Sequence, residues 1–278
     1  MKLPAKKSLG QHFLNSRHVL EQIISTANIK AGERVLEIGP GTGILTRALL
    51  DAGANVLAVE KDDRAFEFLQ KEFASEISTK WLNLIHEDIL KMRRDKETKD
   101  RDNSTWKSAS RGPILSPPYA VVANIPYYIT GAILESFLEH EPRPSRMTLL
   151  VQKEVAERIV ARDDKNSVLS ISVKAFGEPK IIAKVPRGAF SPPPKVDSAI
   201  LNIENISDRK FKENNAEITR FFEILKAGFA HKRKYLKSNL EEKIGKNKLD
   251  AIWKNLDLNE KIRAEDLSLE KWFEISRG

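Results

Sequence analysis

The stretch "RVLEIGPGTGILTRALLDAGANVLAVE", Arg34 to Glu60, decides the fold. Two short apolar runs, Arg34 to Gly39 and Asn55 to Glu60, read as buried parallel strands. Between them "GILTRALLDAG" carries apolar residues at helical spacing and stops at Gly53. Working outward, the alternation repeats. "DDRAFEFLQKEF" is a helix after an Asp that can cap it, and "LNLIHED" (Leu82 to Asp88) is a third strand. "YAVVANIP" (Tyr119 to Pro126) is a fourth strand, "GAILESFLEHE" its helix, and "RMTLLVQ" (Arg146 to Gln152) a fifth strand. Such a βαβ series predicts an α/β fold, a Rossmann-like parallel sheet with helices on both faces.

Two breaks divide the rest. Residues Met92 to Pro118 are charged and serine-rich with almost no apolar periodicity, and read as a flexible insertion between the third and fourth strands. After the strand "SAILNIE" (Ser198 to Glu204) everything reads as helix: "EITRFFEILKAGFAHKRKYLKSNLEEKIG", "KLDAIWKNL" and "SLEKWFEIS". The expected organisation is a catalytic domain over 1–206 and a small helical domain over 207–278. No internal repeat occurs.

The chain has 278 residues, of which 41% are hydrophobic and 31% charged, enough apolar content for a sizeable core. Its formal net charge of +8 favours an acidic partner, nucleic acid before an anionic membrane, although a lysine-rich enzyme surface accounts for the same surplus. The absence of cysteine excludes disulfides, thiolate zinc sites and a cysteine nucleophile. The five histidines are scattered, so no metal is expected. "MKLPAKKSLGQHFL" is basic without a signal-peptide core, and no apolar run approaches the roughly 18 residues of a membrane span. The expectation is a soluble cytoplasmic protein with no membrane partner.

The chemistry gathers at the ends of the strands. "EIGPGTG" places Glu37, Gly39, Gly41 and Gly43 between the first strand and its helix. The spacing is G-x-G-x-G and not the G-x-G-x-x-G of dinucleotide sites, so there is less need to cradle a pyrophosphate. Glu60, about twenty residues on, stands where an acid takes ribose hydroxyls. Asp88 ends the third strand, placed to accept from an adenine amine. Either acid also suits an ordinary helix cap, but the three strand ends together favour an adenosine site. Adenosine without pyrophosphate, with Glu37 available to an amino-acid moiety, points to S-adenosyl-L-methionine.

The fourth strand ends in "NIPYY". Asn124 and the Ile125 carbonyl supply two adjacent acceptors that can hold an aromatic amine pyramidal and aim its lone pair at a methyl sulfonium. Pro126 fixes the turn, and Tyr127 offers a face for a flipped-out base. A packed strand-end tyrosine is the plainer alternative, and Tyr128 has no assigned part. "HKRKYLK" (His231 to Lys237) reads as the start of a helix whose Lys232, Arg233 and Lys234 take phosphates, or as a solvated face.

With these residues in view, nearly the whole chain resembles the ribosomal RNA adenine N6,N6-dimethyltransferases. "KKSLGQHFL", "EIGPGTG" and "NIPYYIT" are similar to that family's amino-terminal, cofactor and catalytic motifs, and "AFSPPPKVDSAIL" is the most specific match. The resemblance implies that Gln11, His12, Phe13 and Leu14 close over the cofactor. His12, where the family often has Asn, receives no role of its own. It further implies that the methionine moiety lies along Gly39 to Gly43, with the ribose on Glu60 beside Lys61. The adenine would lie near Asp88 and Ile89, and Phe190 would face Tyr127 across the target base. The implied product is S-adenosylhomocysteine, with no metal.

Two branches of that family differ in substrate: adjacent adenines in small-subunit (16S) rRNA, or one adenine in large-subunit (23S) rRNA. "PPPKVDSAIL", "FAHKRKYLKSNL" and "IRAEDLSLEKWFEI" resemble the first. The implied partner is 16S rRNA within the assembling 30S subunit, acted on by a monomer. A 23S methylase and a non-catalytic RNA-binding relative are the alternatives.

Overall fold

In the computed structural model, which describes residues 4–6, 10–98 and 117–278, the chain begins with strand β1 (Phe13–Leu14) and helix α1 (Arg17–Ala27). Ser16 accepts from the Val19 amide to cap α1, and Asn28 ends it in the left-handed conformation. The alternating series follows as β2 (Arg34–Ile38), α2 (Ile44–Asp51), β3 (Asn55–Glu60), α3 (Asp63–Glu72), α4 (Ala74–Ser78) and β4 (Leu82–His86). Next come α5 (Ile89–Thr98), β5 (Ala120–Asn124), α6 (Thr130–Glu139) and β6 (Arg146–Gln152). Then α7 (Lys153–Val160), α8 (Val168–Phe176), β7 (Glu178–Val185), β8 (Phe190–Ser191) and β9 (Ser198–Glu204) complete the sheet-forming part.

Seven strands pair in the order β4-β3-β2-β5-β6-β9-β7. Strands β2 to β6 are mutually parallel, but β9 runs antiparallel to β6, with Met147 opposite Ile203. The sheet is therefore mixed, where the repeating pattern predicts parallel strands throughout. Residues Ala120 to Ala123 of β5 and Met147 to Val151 of β6 are buried, as central strands covered on both faces must be. The strand order reverses between β2 and β5, and their carboxyl ends open a crevice of the kind in which α/β sheets bind ligands.

The expected insertion from Met92 is corrected at its start. Residues 92–98 continue α5, and Arg93 is buried under a cage of carbonyls. Its guanidinium donates to the carbonyls of Ser136, His140 and Pro142 at 2.5, 2.9 and 3.2 Å and lies 4.4 Å over the Phe137 ring. An arginine satisfied this fully can be buried despite its charge. Residues 99–116 of that insertion lie outside the described residues, as do Lys7, Ser8 and Leu9 of the amino-terminal motif.

The chain divides into two compact units, residues 1–156 with 180–204, and residues 157–179 with 205–278. The second takes in α8 as well as the carboxyl-terminal helices, where the sequence suggests a simple boundary at 206. Helix α8 joins it through aromatic packing: Phe176 lies 4.9 Å from Phe211, which meets Phe221 edge-on at 5.2 Å and Phe273 at 5.1 Å. The helices of this unit are α9 (Arg209–Glu213), α10 (Ile218–Gly228), α11 (Leu236–Ile244), α12 (Lys246–Asn255) and α13 (Leu269–Arg277).

Candidate active site

The turn after β2 owes its shape to glycine. Gly41 and Gly43 adopt φ of +57° and +77°, where an L side chain is strained. A Cβ on Gly41 would come within 2.9 Å of the Phe13 ring, and one on Gly43 within 2.5 Å of the Phe73 ring. Gly41 therefore lets Phe13 of β1 lie directly on the turn. Gly43 instead lets α3 approach, which is a packing role.

Glu60, at the end of β3, braces the same turn. Its carboxylate accepts from the Gly41, Lys61 and Asp62 amides at 2.9, 2.8 and 2.8 Å. Burial raises its pKa, and those three donors oppose the shift without cancelling it. Asp62 caps α3 and accepts from Gln11 Nε2 at 2.9 Å, fastening the amino-terminal segment to the site. Asp88 combines both readings of a strand-end acid. It accepts from the Leu90 amide at the start of α5 at 2.9 Å and from Lys61 Nζ at 2.8 Å, and it also lines the cleft. Burial pushes the Asp88 carboxyl up, but the Lys61 ammonium and the Leu90 amide outweigh it and leave the pKa lowered.

These elements border a single cleft. It is lined by Gln11, His12 and Phe13, by Gly39 and Gly41, by Glu60 and Lys61, by Asp88 and Ile89, and by Asn124, Ile125, Pro126 and Tyr127. The cleft thus brings together most of the residues singled out from the sequence. A glycine-bounded turn and two strand-end carboxylates along one cleft suit the donor chemistry of S-adenosyl-L-methionine.

Four expected residues are absent from the lining. Leu14 and Phe190 are partners across the β1–β8 pair and lie in the hydrophobic core. Phe190 is 3% exposed and packs in that core rather than on the cleft lining. Gly43 is occupied with α3, as described. Glu37 is 1% exposed and accepts from Thr46 Oγ1 at 2.7 Å. Desolvation pushes its carboxyl up to about 8, with Thr46 opposing and the nearby Glu60 adding to the rise.

At the end of β5 the Asn124 amide is held by the amino-terminal segment: Nδ2 donates to the His12 carbonyl at 3.1 Å. A carbonyl only accepts, so Oδ1 is the atom turned away from His12. The Ile125 side chain is buried, and its carbonyl has no hydrogen-bond donor among the described residues. Tyr127 follows Pro126 on a single 3-10 turn, Tyr127–Ile129. Its hydroxyl is 2.5 Å from Ser198 Oγ on β9, and its ring stacks on His12, with centroids 5.8 Å apart and planes at 23°. Burial raises the Tyr127 pKa, and the Ser198 hydrogen bond opposes the rise.

Sequence reasoning passed over Gly10, Ile38, Val59, Glu87, Tyr128 and Ile129, which also line the cleft. Tyr128 is 62% exposed at its edge, beside Gly10. All but Ile129 adjoin a residue already singled out, and that adjacency is the only local signal they carry.

In the helical unit, Lys232, Arg233 and Lys234 are exposed on a turn between α10 and α11, so the expected helix start at His231 is corrected to Leu236. Asn239 Nδ2 donates to the carbonyls of Gly228 and His231 at 2.7 and 3.2 Å, which stabilises the turn over helical continuation. Among the described residues there is no cluster of metal-ligating side chains and no helix long and apolar enough to cross a membrane.

A family model described as "Ribosomal RNA adenine dimethylase" matches residues 3–277. The protein named "Ribosomal RNA small subunit methyltransferase A" from Dehalococcoides mccartyi is 39% identical over 274 residues, 97% of this chain and 87% of that one. The protein of the same name from Crocosphaera subtropica is 38% identical over 279 residues, 98% of this chain and 97% of that one. Among solved structures, a dimethyladenosine transferase from Plasmodium falciparum is 26% identical with a TM-score of 0.74, covering 95% of this chain and 96% of that one. The 23S rRNA methyltransferase ErmE, at 24% identity and a TM-score of 0.69, covers 95% of this chain and 98% of that one and shares the fold.

Proposed function

The chain belongs to the ribosomal RNA adenine dimethylase family, and from that premise we propose that it dimethylates the N6 amines of two adjacent adenines in small-subunit (16S) rRNA, within the assembling 30S particle. Relatives named for the small subunit, at 38 and 39% identity over nearly the whole chain, support that choice of RNA. The observation that carries the chemistry is the fixed Asn124 amide. Its nitrogen is committed to His12, leaving Oδ1 to accept from a substrate amine beside the Ile125 carbonyl.

S-adenosyl-L-methionine, bound along the cleft, supplies an electrophilic methyl on a sulfonium and leaves as S-adenosylhomocysteine. Glu60, Asp88 and the Gly39–Gly41 turn orient it. An adenine N6 lone pair is delocalised into the ring, so the amine is a poor nucleophile. Two acceptors on its hydrogens favour a pyramidal nitrogen and direct the lone pair, a matter of orientation and electrostatics with no strong base, and the N6 proton, acidic once the nitrogen is alkylated, passes to solvent. Tyr127, held by Ser198 and His12, carries the flipped base by stacking, worth roughly 1–3 kcal/mol. After the first methyl one N–H remains for one acceptor, so the pocket has to accommodate a methyl beside the other. The basic turn Lys232–Arg233–Lys234 takes RNA phosphates. The protein acts as a monomer in the cytoplasm.

The test offers labelled S-adenosyl-L-methionine with undermethylated small-subunit particles and, separately, with 23S rRNA. Dimethyladenosine in the 16S rRNA alone is the expected result. Label in the 23S rRNA alone would overturn the choice of substrate, and none in either would overturn the enzymatic reading.

A further inference from the structure

The amino-terminal segment does more than cover the cleft, because its main chain reaches the end of β5. The His12 carbonyl accepts from Asn124 Nδ2 at 3.1 Å. That carbonyl is fixed from both sides. Following it, Phe13 and Leu14 pair with Ser191 and Phe190, and the Asn15 amide donates to the Ala189 carbonyl at 2.9 Å. Preceding it, Gln11 is tied to Asp62 at 2.9 Å. The His12 side chain adds a third restraint. Its Nδ1–H donates to the Pro192 carbonyl at 2.8 Å while the ring stacks on Tyr127.

A primary carboxamide has two ends of nearly equal shape and opposite hydrogen-bonding character. Released from His12, Asn124 could present its NH2 to the cleft, and a donor there would oppose a substrate amine. Only an acceptor fixed against the amide nitrogen selects the productive face. The same histidine ring supports Tyr127, so one residue couples both groups that would hold the target base.

We propose that His12 is a positioning residue for methyl transfer: its main-chain carbonyl orients the Asn124 amide, and its ring, anchored on Pro192 and Tyr127, holds that carbonyl in place. This inference rests on the adenine-N6 reading above. It assigns the segment Gly10–Leu14 a part in the chemistry, separate from its part in closing over the cofactor. His12→Ala removes the anchoring ring but keeps the main-chain carbonyl, so it loosens the amide without deleting it. His12→Asn keeps a side-chain donor for Pro192 and loses the ring, so it falls between wild type and alanine.

The experiment is a double-mutant cycle on the full chain, measured as single-turnover methylation of undermethylated small-subunit particles, with calorimetric S-adenosyl-L-methionine binding as the check on folding. His12→Ala is expected to slow methyl transfer at saturating cofactor and particle roughly 10- to 100-fold, as a misplaced reacting group does. Combined with Asn124→Ser, it should add less than about twofold to the loss from Asn124→Ser alone, because residues acting as a unit are non-additive. Losses that multiply, or a His12→Ala rate equal to wild type, would overturn the proposal. His12→Asn, the milder change, supplies the same cycle if the alanine variant does not bind cofactor. Wild-type protein inactive on the particles would sink the underlying reading, a result the cycle itself cannot imitate.

Discussion

Glu37→Gln isolates the consequence of burying a carboxyl at the end of β2. Glu37 is 1% exposed, with Thr46 donating to it and the Glu60 carboxylate nearby. Burial pushes its carboxyl up to about 8 from the ordinary 4.5. Each pKa unit is worth about 1.4 kcal/mol, so the whole shift corresponds to on the order of 5 kcal/mol. The sign follows from proton binding. Between those two values the folded state holds a proton that the unfolded state has released, so stability falls as pH rises. The stabilisation is complete below the unfolded pKa and is lost once pH has passed about 8. Glutamine keeps an acceptor for Thr46 and cannot ionise. Urea unfolding of wild type and Glu37→Gln at intervals from pH 5 to 9 should give a difference in ΔG that moves by up to about 1.4 kcal/mol per pH unit in favour of the variant. The difference should level off above pH 8. A difference that stays constant with pH would refute the reasoning.

Three further outcomes follow from the geometry. Gly43→Ala places a Cβ within 2.5 Å of Phe73 at φ +77°; strain and overpacking together should cost about 2–5 kcal/mol in urea unfolding, and Phe73→Leu in the same chain should recover part of it. Replacing Lys232, Arg233 and Lys234 by alanine should weaken RNA binding and flatten the log Kd against log salt slope by roughly 2–3, with cofactor affinity unchanged by calorimetry. Tyr127→Ala should raise Kd for the RNA by the roughly 1–3 kcal/mol of one stacked base, whereas Tyr127→Phe, which loses only the Ser198 contact, should retain most of the affinity.

The sheet was legible because strand and helix periods alternate. Strands Asn55–Glu60, Arg146–Gln152 and Ser198–Glu204 fall where the apolar runs fall. Helix α1 and strand β7 were not read. In β7, Lys180 and Lys184 flank the apolar run Ile181 to Ala183, a mixed pattern that an edge strand tolerates and a buried-strand reading overlooks. The β1–β8 pair has two residues on each side and joins segments far apart in sequence, so nothing local announces it. Phe190 belongs to that pair and is buried in the core. An aromatic in a proline-rich loop serves a base or a core equally well until its strand partner is known.

The same limit applies at the cleft. Glu37, Glu60 and Asp88 all look like ligand acids at strand ends, but depth separates them. Glu60 and Asp88 border the cleft, and Glu37 lies beneath it on Thr46. Asn124 was legible as an acceptor from its place after an apolar strand. What orients it was not, because the His12 carbonyl is a main-chain group that any residue at that position would supply.

The most direct measurement compares wild type with Asn124→Ala for cofactor binding and methyl transfer on the same preparation. The expected result is S-adenosyl-L-methionine affinity close to wild type by calorimetry, with transfer to small-subunit particles reduced by at least about 100-fold, the usual effect of deleting one preorganised group at a reacting centre. Methylation at the wild-type rate would contradict it.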